Sequence, residues 1–409
     1  MSFPKQIINK IYYLNFLFYL TQKVNIKKFK LKIKKTLKIK RNYNIIILGR
    51  ARTGIYLSVK KIIQNKKNNT ILIAPYTIPD VINMIKIAGG NPEFLDFERK
   101  STSLDINFLK KKLRSKPAAL IITHYSVNEK NYEQIFKLCK KYKVKIIEDS
   151  AISIGGYSGK KKIPINSLSD FSIFSFSAFK FLNFFYGGLL AIKNKKDFNL
   201  INKEVINWKK LDNYSYFKKF LEVLFFQFFT NKIIFNFLTV KIYKIRNYLG
   251  FNKSSKKYTN YKIGKIDKTY FTKPSNLFYQ EISNKMKFFK INQSHRRKIS
   301  NIYYNYLKHM SIPHDITLNQ INNSSAIHYL IYHKHSDKIK RRLLNNNFDV
   351  GKIFYENCSF LFGKRKFKKN NNIDDLVKNI ILLPTHEFIT PVYAVKLSKK
   401  ILNCENDLR

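Results

Sequence analysis

Between residues 44 and 149, short apolar runs alternate with helical patterns, and few folds accommodate that order. NIIIL (44–48) reads as a buried strand, and RTGIYLSVKKIIQN (52–65) carries its apolar residues at helical spacing. The same alternation gives a strand at 69–75, a helix at 79–89, a strand at 92–97 and a helix at 105–114. It continues with a strand at 118–124, a helix at 132–142 and a strand at 144–149. Strands separated by helices of this length are βαβ units, which require a mostly parallel sheet covered on both faces. The expected fold class is therefore α/β. Shorter strands follow at 170–177 and 187–193, and a long helical pattern from about Pro274 opens a separate α+β part. The stretch KKFKLKIKKTLKIKR within 21–41 alternates and is strongly basic, which reads as a solvated extension or an edge strand.

Composition narrows the function classes. Hydrophobic residues are 44% and aromatics 15%, a globular balance rather than a disordered one. The formal charge of +53 would suit nucleic acid or an anionic membrane. However, the lysines are spread along the whole chain and accompany an excess of Asn, Ile, Phe and Tyr, the bias of an AT-rich genome. No nucleic-acid partner is expected. Cys139, Cys358 and Cys404 are widely spaced, as free thiols in a reducing cytoplasm are, and neither they nor the histidines, HKH at 333–335 included, form a metal signature. Residues 7–20 are too short and too interrupted for a signal peptide or a span. Residues 217–250 are rich in aromatics but repeatedly broken by polar residues, which suits a buried or interfacial helical pair.

In open α/β sheets, ligands collect at the carboxyl ends of the strands, and three such ends carry useful chemistry. GRARTG (49–54) joins a strand to a helix; free N–H groups and the helix dipole there suit a phosphate, and an ordinary turn would look the same. Glu148-Asp149 closes a strand, where a buried Asp could hold a cationic partner. In SDFSIFSFSAFKFLNFFYGG, Ser175 and Ser177 point to one side of a strand and Lys180 follows in the turn. That lysine is either a desolvated nucleophile toward a carbonyl or a snorkelling side chain with a wet head. Taken together, a phosphate cradle, an acid and an amine are what pyridoxal 5'-phosphate requires.

The order of these pieces resembles the DegT/DnrJ/EryC1/StrS family of sugar aminotransferases, with the fold type I architecture of aspartate aminotransferase. The resemblance rests on ARTGIYLSVKKI, ILIAPYTIPDVINMIKIAGGNPEFLDF, DINFLKKKL, VKIIEDSAISIGG, SDFSIFSFSAFKFL with its Gly-Gly, SHRRKISNIYYNYL and IILLPTHEFI. It covers roughly 43–195 and 270–403. It implies a three-layer, mostly parallel large domain at 43–199 and a smaller C-terminal α+β domain at 263–409. A basic N-terminal extension (1–42) and a hydrophobic helical insertion (200–262) would lie outside it. It also implies that Lys180 bonds the cofactor aldehyde and later moves a proton, and that Asp149 partners the ring nitrogen. Ser175, Arg52 and Thr53 would hold the phosphate, with Ile78 and His124 beside the ring.

The departures lie around the ring. Ile78 stands where the family usually has a stacking aromatic, Ile152 where it has Gln, and Phe181 where it has Asn. An Asn-rich segment that reaches the neighbouring subunit's phosphate is replaced around Phe271–Lys273. The resemblance implies a cytoplasmic homodimer that aminates a nucleotide-linked keto-sugar with glutamate as donor, for cell-surface polysaccharide. Residues 217–250 would give it peripheral membrane contact. The altered ring positions raise a second reading: a cofactor-binding protein without turnover that regulates or scaffolds.

Overall fold

The structure is a computed structural model, which describes residues 2–8, 24–64, 66–158, 163–249, 261–351, 355–362 and 371–408. The apolar run 7–20 lies almost wholly outside the described residues.

Helix α1 (Ile26–Thr36) precedes the first sheet strand, β1 (Asn44–Leu48), which feeds α2 (Ala51–Ile63). The chain then alternates as the apolar runs require: β2 (Thr70–Ile73), α3 (Pro79–Ile87), β3 (Asn91–Phe94), α4 (Ile106–Leu113), β4 (Ala119–Thr123), α5 (Tyr132–Lys141) and β5 (Lys145–Asp149). Strands β6 (Phe171–Ser175) and β7 (Gly188–Ile192) complete a seven-stranded sheet in the order β1-β7-β6-β5-β4-β2-β3. The pairs from β6 to β3 are all parallel, while β7 runs antiparallel to both β6 and β1.

Both faces of the sheet are dry, which is why its strands are unbroken apolar runs. The period-2 alternation sends Ile45, Ile47, Leu72, Leu120, Ile122 and Leu189 into one core, packed with α1, α4, α5 and the first half of a long helix. Their neighbours Ile46, Leu48, Ile71, Ile73, Ile121 and Leu190 enter the other core, with α2, α3 and α6 (Lys195–Ile206). The result is three layers. Local capping agrees with this arrangement: Asp105 accepts from the N–H groups of Asn107 and Phe108 at the start of α4.

The basic stretch before β1 is a helix, not a solvated extension or an edge strand. Phe29, Ile33 and Leu37 recur every four residues and are buried, so the helical period prevails over the local alternation of Lys with apolar residues. Phe29 meets Phe278 and Tyr279 edge-on, at 6.1 and 5.0 Å.

After α6 come α7 (Asn213–Thr230) and α8 (Lys232–Tyr248), bent by 56° at their junction, with a π turn at Phe235–Thr239 inside α8. Among the described residues, no single helix is long and apolar enough to cross a membrane. Helix α9 (Asn276–Leu307), about 48 Å long at 1.5 Å per residue, links the two parts of the molecule. Leu277, Phe278 and Ile282 enter the first core, whereas Ile299, Tyr303 and Leu307 enter a third. That third core lies around an antiparallel pair, β8 (His328–Tyr332) and β9 (Ile380–Pro384). Helices α10 (Ser336–Asn345), α11 (Asn372–Asn379) and α12 (Pro391–Asn406) complete this α+β part. The three cysteines are free and buried.

Candidate active site

At the carboxyl edge of the sheet, the ends of β1, β5 and β6 and the start of β7 converge on a cleft of about 260 Å³. A larger groove, about 1180 Å³, lies between α1 and α9 and is lined by lysines and Arg297. It contains no acid–amine pair, so the chemistry points to the smaller cleft.

Lys180 lies in the turn after β6, where its N–H bonds the carbonyl of Ser177 at 2.9 Å. Phe176 and Phe184 close this turn, their N–H groups bonding the carbonyls of Gly187 and Phe176 at 3.1 and 2.6 Å. The aromatic residues around Lys180 are therefore structural. Phe176, Phe181, Phe184 and Phe185 are buried and turn the lysine toward the cleft. The following Gly-Gly has a separate cause. Gly187 adopts φ +148°, which L side chains rarely occupy, and a methyl at Gly188 would lie 2.5 Å from the Ala51 backbone. The start of β7 thus touches the first residue of α2.

Asp149 ends β5, 5% exposed, and its Oδ1 accepts from the Ala151 N–H at 3.0 Å. Burial raises its pKa, while the Ala151 N–H, Lys180 and His124 oppose the rise. Lys180 is half-buried as a residue, but its amine is packed among protein atoms. Burial, opposed by Asp149 and aided by Arg52, lowers its pKa to about 8. Neither side chain has a salt-bridge partner within 4.0 Å among the described residues. A desolvated carboxylate and a desolvated amine on one wall are costly unless a ligand completes them.

The start of α2 supplies the third part. Arg50 is its N-cap and makes no side-chain cap bond, so the N–H groups of the first turn remain to meet an anion at the cleft. Arg50 is held by Thr269 at 2.8 Å and lies over the Tyr186 ring at 3.9 Å. Arg52 lines the cleft and is ion-paired with Asp80. Ser175 and Ser177 line it too, 3.4 Å apart. These residues fit pyridoxal 5'-phosphate: an amine for its aldehyde, an acid for its ring nitrogen, and N–H groups with hydroxyls for its phosphate.

Two expected residues lie elsewhere. The Thr53 hydroxyl is buried and donates to the Tyr270 carbonyl at 2.7 Å, so it is spent on the fold and does not line the cleft. His124 also lies off the cleft: its Nε2 meets Glu148 Oε1 at 2.9 Å, with both groups fully buried. Adjacent strand residues face opposite ways, so Glu148 takes His124 to one side and leaves Asp149 on the other. Ile78 and Ile152 do line the cleft, but its aromatic residues are Phe179 and Tyr355. Phe181 instead packs on Phe289 at 4.9 Å and under the Arg296 guanidinium at 5.2 Å. Phe271 packs on Tyr56 and Trp208, and the Thr272 carbonyl accepts from the Gly49 N–H, so this replaced segment braces the loop before α2.

Three lining residues gave no signal in the sequence: Gln6, His328 and Tyr355. His328 starts β8, and burial followed by the charges of Arg296, His386 and Lys180 lowers its pKa to about 3, so its ring is neutral. Tyr355 belongs to an aromatic group with Tyr76 and Tyr125, at 5.6 and 5.7 Å.

Known proteins resemble the chain both in sequence and in fold. Residues 21–204 match the DegT/DnrJ/EryC1/StrS aminotransferase family. The chain is 29% identical over 158 residues to UDP-4-amino-4,6-dideoxy-N-acetyl-beta-L-altrosamine transaminase of Campylobacter jejuni, covering 37% of this chain and 39% of that protein. It is 26% identical to GDP-perosamine synthase of Escherichia coli O157:H7, over 32% of this chain and 35% of the relative. The chain thus matches less than two fifths of the length of these curated relatives. The fold match covers the whole chain. The structure of Helicobacter pylori PseC, an aminotransferase involved in the biosynthesis of pseudoaminic acid, superimposes with a TM-score of 0.72 over 100% of both chains, at 15% identity.

Proposed function

We propose that this DegT/DnrJ/EryC1/StrS-like chain is a pyridoxal 5'-phosphate-dependent aminotransferase that converts a keto group of a nucleotide-linked sugar to an amine, with glutamate as donor. The observation that carries the reading is the placement of Lys180 and Asp149, both desolvated and without ion pairs, in one cleft beside an uncapped helix start.

When bound, the cofactor supplies a ring that withdraws electrons from the carbon next to the transferred nitrogen. The chain's own residues do the rest. Lys180 would hold the cofactor through its aldehyde and would serve as the base toward the carbon next to the transferred nitrogen; a pKa near 8 suits an amine that must take and return a proton. Asp149 keeps the ring nitrogen protonated, and the proton in turn relieves its buried charge. The first turn of α2, with Ser175 and Ser177, anchors the phosphate. Ile78, Ile152 and Phe179 exclude water. The cleft is small for an entire nucleotide-linked sugar, so the nucleotide would extend beyond it.

Similarity to proteins named as a UDP-linked aminosugar transaminase and a GDP-perosamine synthase supports the substrate class. A role in cell-surface polysaccharide synthesis, a cytoplasmic location and a homodimer belong to the same proposal. Purified protein supplied with cofactor, glutamate and UDP- or GDP-linked 4-keto-6-deoxysugars should release 2-oxoglutarate and an aminosugar in equal amounts. A preparation that binds the cofactor but transfers no nitrogen from any amino donor would instead favour the reading without turnover.

A further inference from the structure

Helices α7 and α8 are apolar on two sides. Inward, Tyr216 and Val223 of α7 and Phe235 and Val240 of α8 are buried against the rest of the molecule. Outward, α7 exposes Tyr214, Phe217, Leu221, Leu224, Phe225 and Phe228. Their spacing of three and four residues forms one continuous stripe. Helix α8, across the 56° bend, in turn exposes Ile233, Phe237, Leu238, Ile242, Ile245 and Tyr248. Scattered exposed apolar residues need no explanation, but twelve on two consecutive helices are a concentration of the kind that marks a covered surface. Genome bias accounts for the abundance of Phe and Ile, not for their placement. Helices α2, α4, α5 and α10 of the same chain expose no large apolar side chain.

Charge indicates what the cover is. From residue 213 to 249 the cations are Lys218, Lys219, Lys232, Lys241, Lys244 and Arg246, against Glu222 as the single acid. Glu222 is already paired with Lys219 at 2.6 Å. A second copy on this face would bring one set of cations against its twin, in a chain of net charge +53. An anionic lipid surface offers both complements, acyl chains for the stripe and phosphates for the lysines.

We infer that the bent α7–α8 pair lies in the interface of an anionic bilayer, with its outward stripe among the acyl chains and its lysines at the headgroups. Together the two helices have the length and apolarity of a broken span, but Tyr216, Val223, Phe235 and Val240 are packed on the rest of the molecule, so the pair rests on the membrane instead of crossing it. This inference is independent of the catalytic reading, because none of the stripe residues lines the cleft.

Flotation of the full chain with vesicles provides the test. The chain should rise with phosphatidylcholine vesicles containing phosphatidylglycerol, less with phosphatidylcholine alone, and less in high salt. The triple variant L221Q/F225Q/F228Q changes only exposed side chains. It should keep the wild-type melting curve and lose about tenfold in vesicle-bound fraction. The variant K218Q/K232Q/K241Q should float less and with weaker salt dependence, which preserves the test if the first variant misfolds. A wild-type chain that stays unbound with both vesicle types overturns the inference. So does an L221Q/F225Q/F228Q variant, folded as wild type, that floats equally well. If that variant turns a sedimenting dimer into a monomer while neither form floats, the face belongs to a second copy and the lipid assignment is wrong.

Discussion

Lys180→Ala protein is expected to fold normally and to lose amino transfer by about 10³-fold or more, since on the proposed mechanism it removes both the group that holds the cofactor and the base. Lys180→Arg should do the same. It keeps a cation near Asp149 but offers neither a nucleophile nor a base at neutral pH. Steady-state release of 2-oxoglutarate, read beside the far-ultraviolet dichroism of both variants, checks the point. A snorkelling lysine would give a different result: Arg would serve as well as Lys, and Ala would reduce stability more than turnover. Activity within a few-fold of wild type in either variant would remove Lys180 from the mechanism.

Asp149→Asn is the second large effect. It keeps shape and the hydrogen bond from Ala151 but removes the charge that stabilises a protonated ring nitrogen. Turnover should fall about 10²–10³-fold, the usual cost of losing one oriented electrostatic group in a desolvated site. The change also removes the interaction that raises the Lys180 pKa, so the amine should titrate lower than in the wild type. The pH dependence of cofactor capture by the unloaded variant reads that shift, and steady-state rates read the loss. A merely structural Asp149 would still shift the lysine but leave the rates unchanged, and its removal would otherwise appear only in the melting temperature.

The large domain was legible because its strands are buried on both faces, which makes NIIIL, TILI and ALIIT continuous apolar runs with little room for another reading. The strand-end rule places Asp149, Ser175 and Lys180 on one edge from sequence alone. The failures have identifiable physical causes. In the stretch before β1, lysines at nearly every second position imitate a strand, whereas the buried set Phe29, Ile33 and Leu37 has the helical period. Thr53 follows Arg52 directly, but on a helix successive side chains diverge, and the hydroxyl reaches Tyr270 instead of the cleft. His124 stands at a strand end like Asp149, but Glu148 draws it to the other side. Gln6, His328 and Tyr355 were not legible because the fold brings them in from the N-terminus and the C-terminal part. No local pattern marks a single His, Tyr or Gln that only tertiary packing delivers to a site.

The central claim is that the Lys180 amine, beside Asp149, holds the cofactor aldehyde. Incubating the wild-type protein with pyridoxal 5'-phosphate across a range of pH, reducing with borohydride and mapping the labelled peptide by mass spectrometry tests it most directly. The account predicts label on Lys180, with initial capture that rises with pH and is half-maximal at about 8, because only the neutral amine attacks and burial has lowered its pKa to that value. Label concentrated on another lysine, or none on Lys180 at any pH, would contradict it.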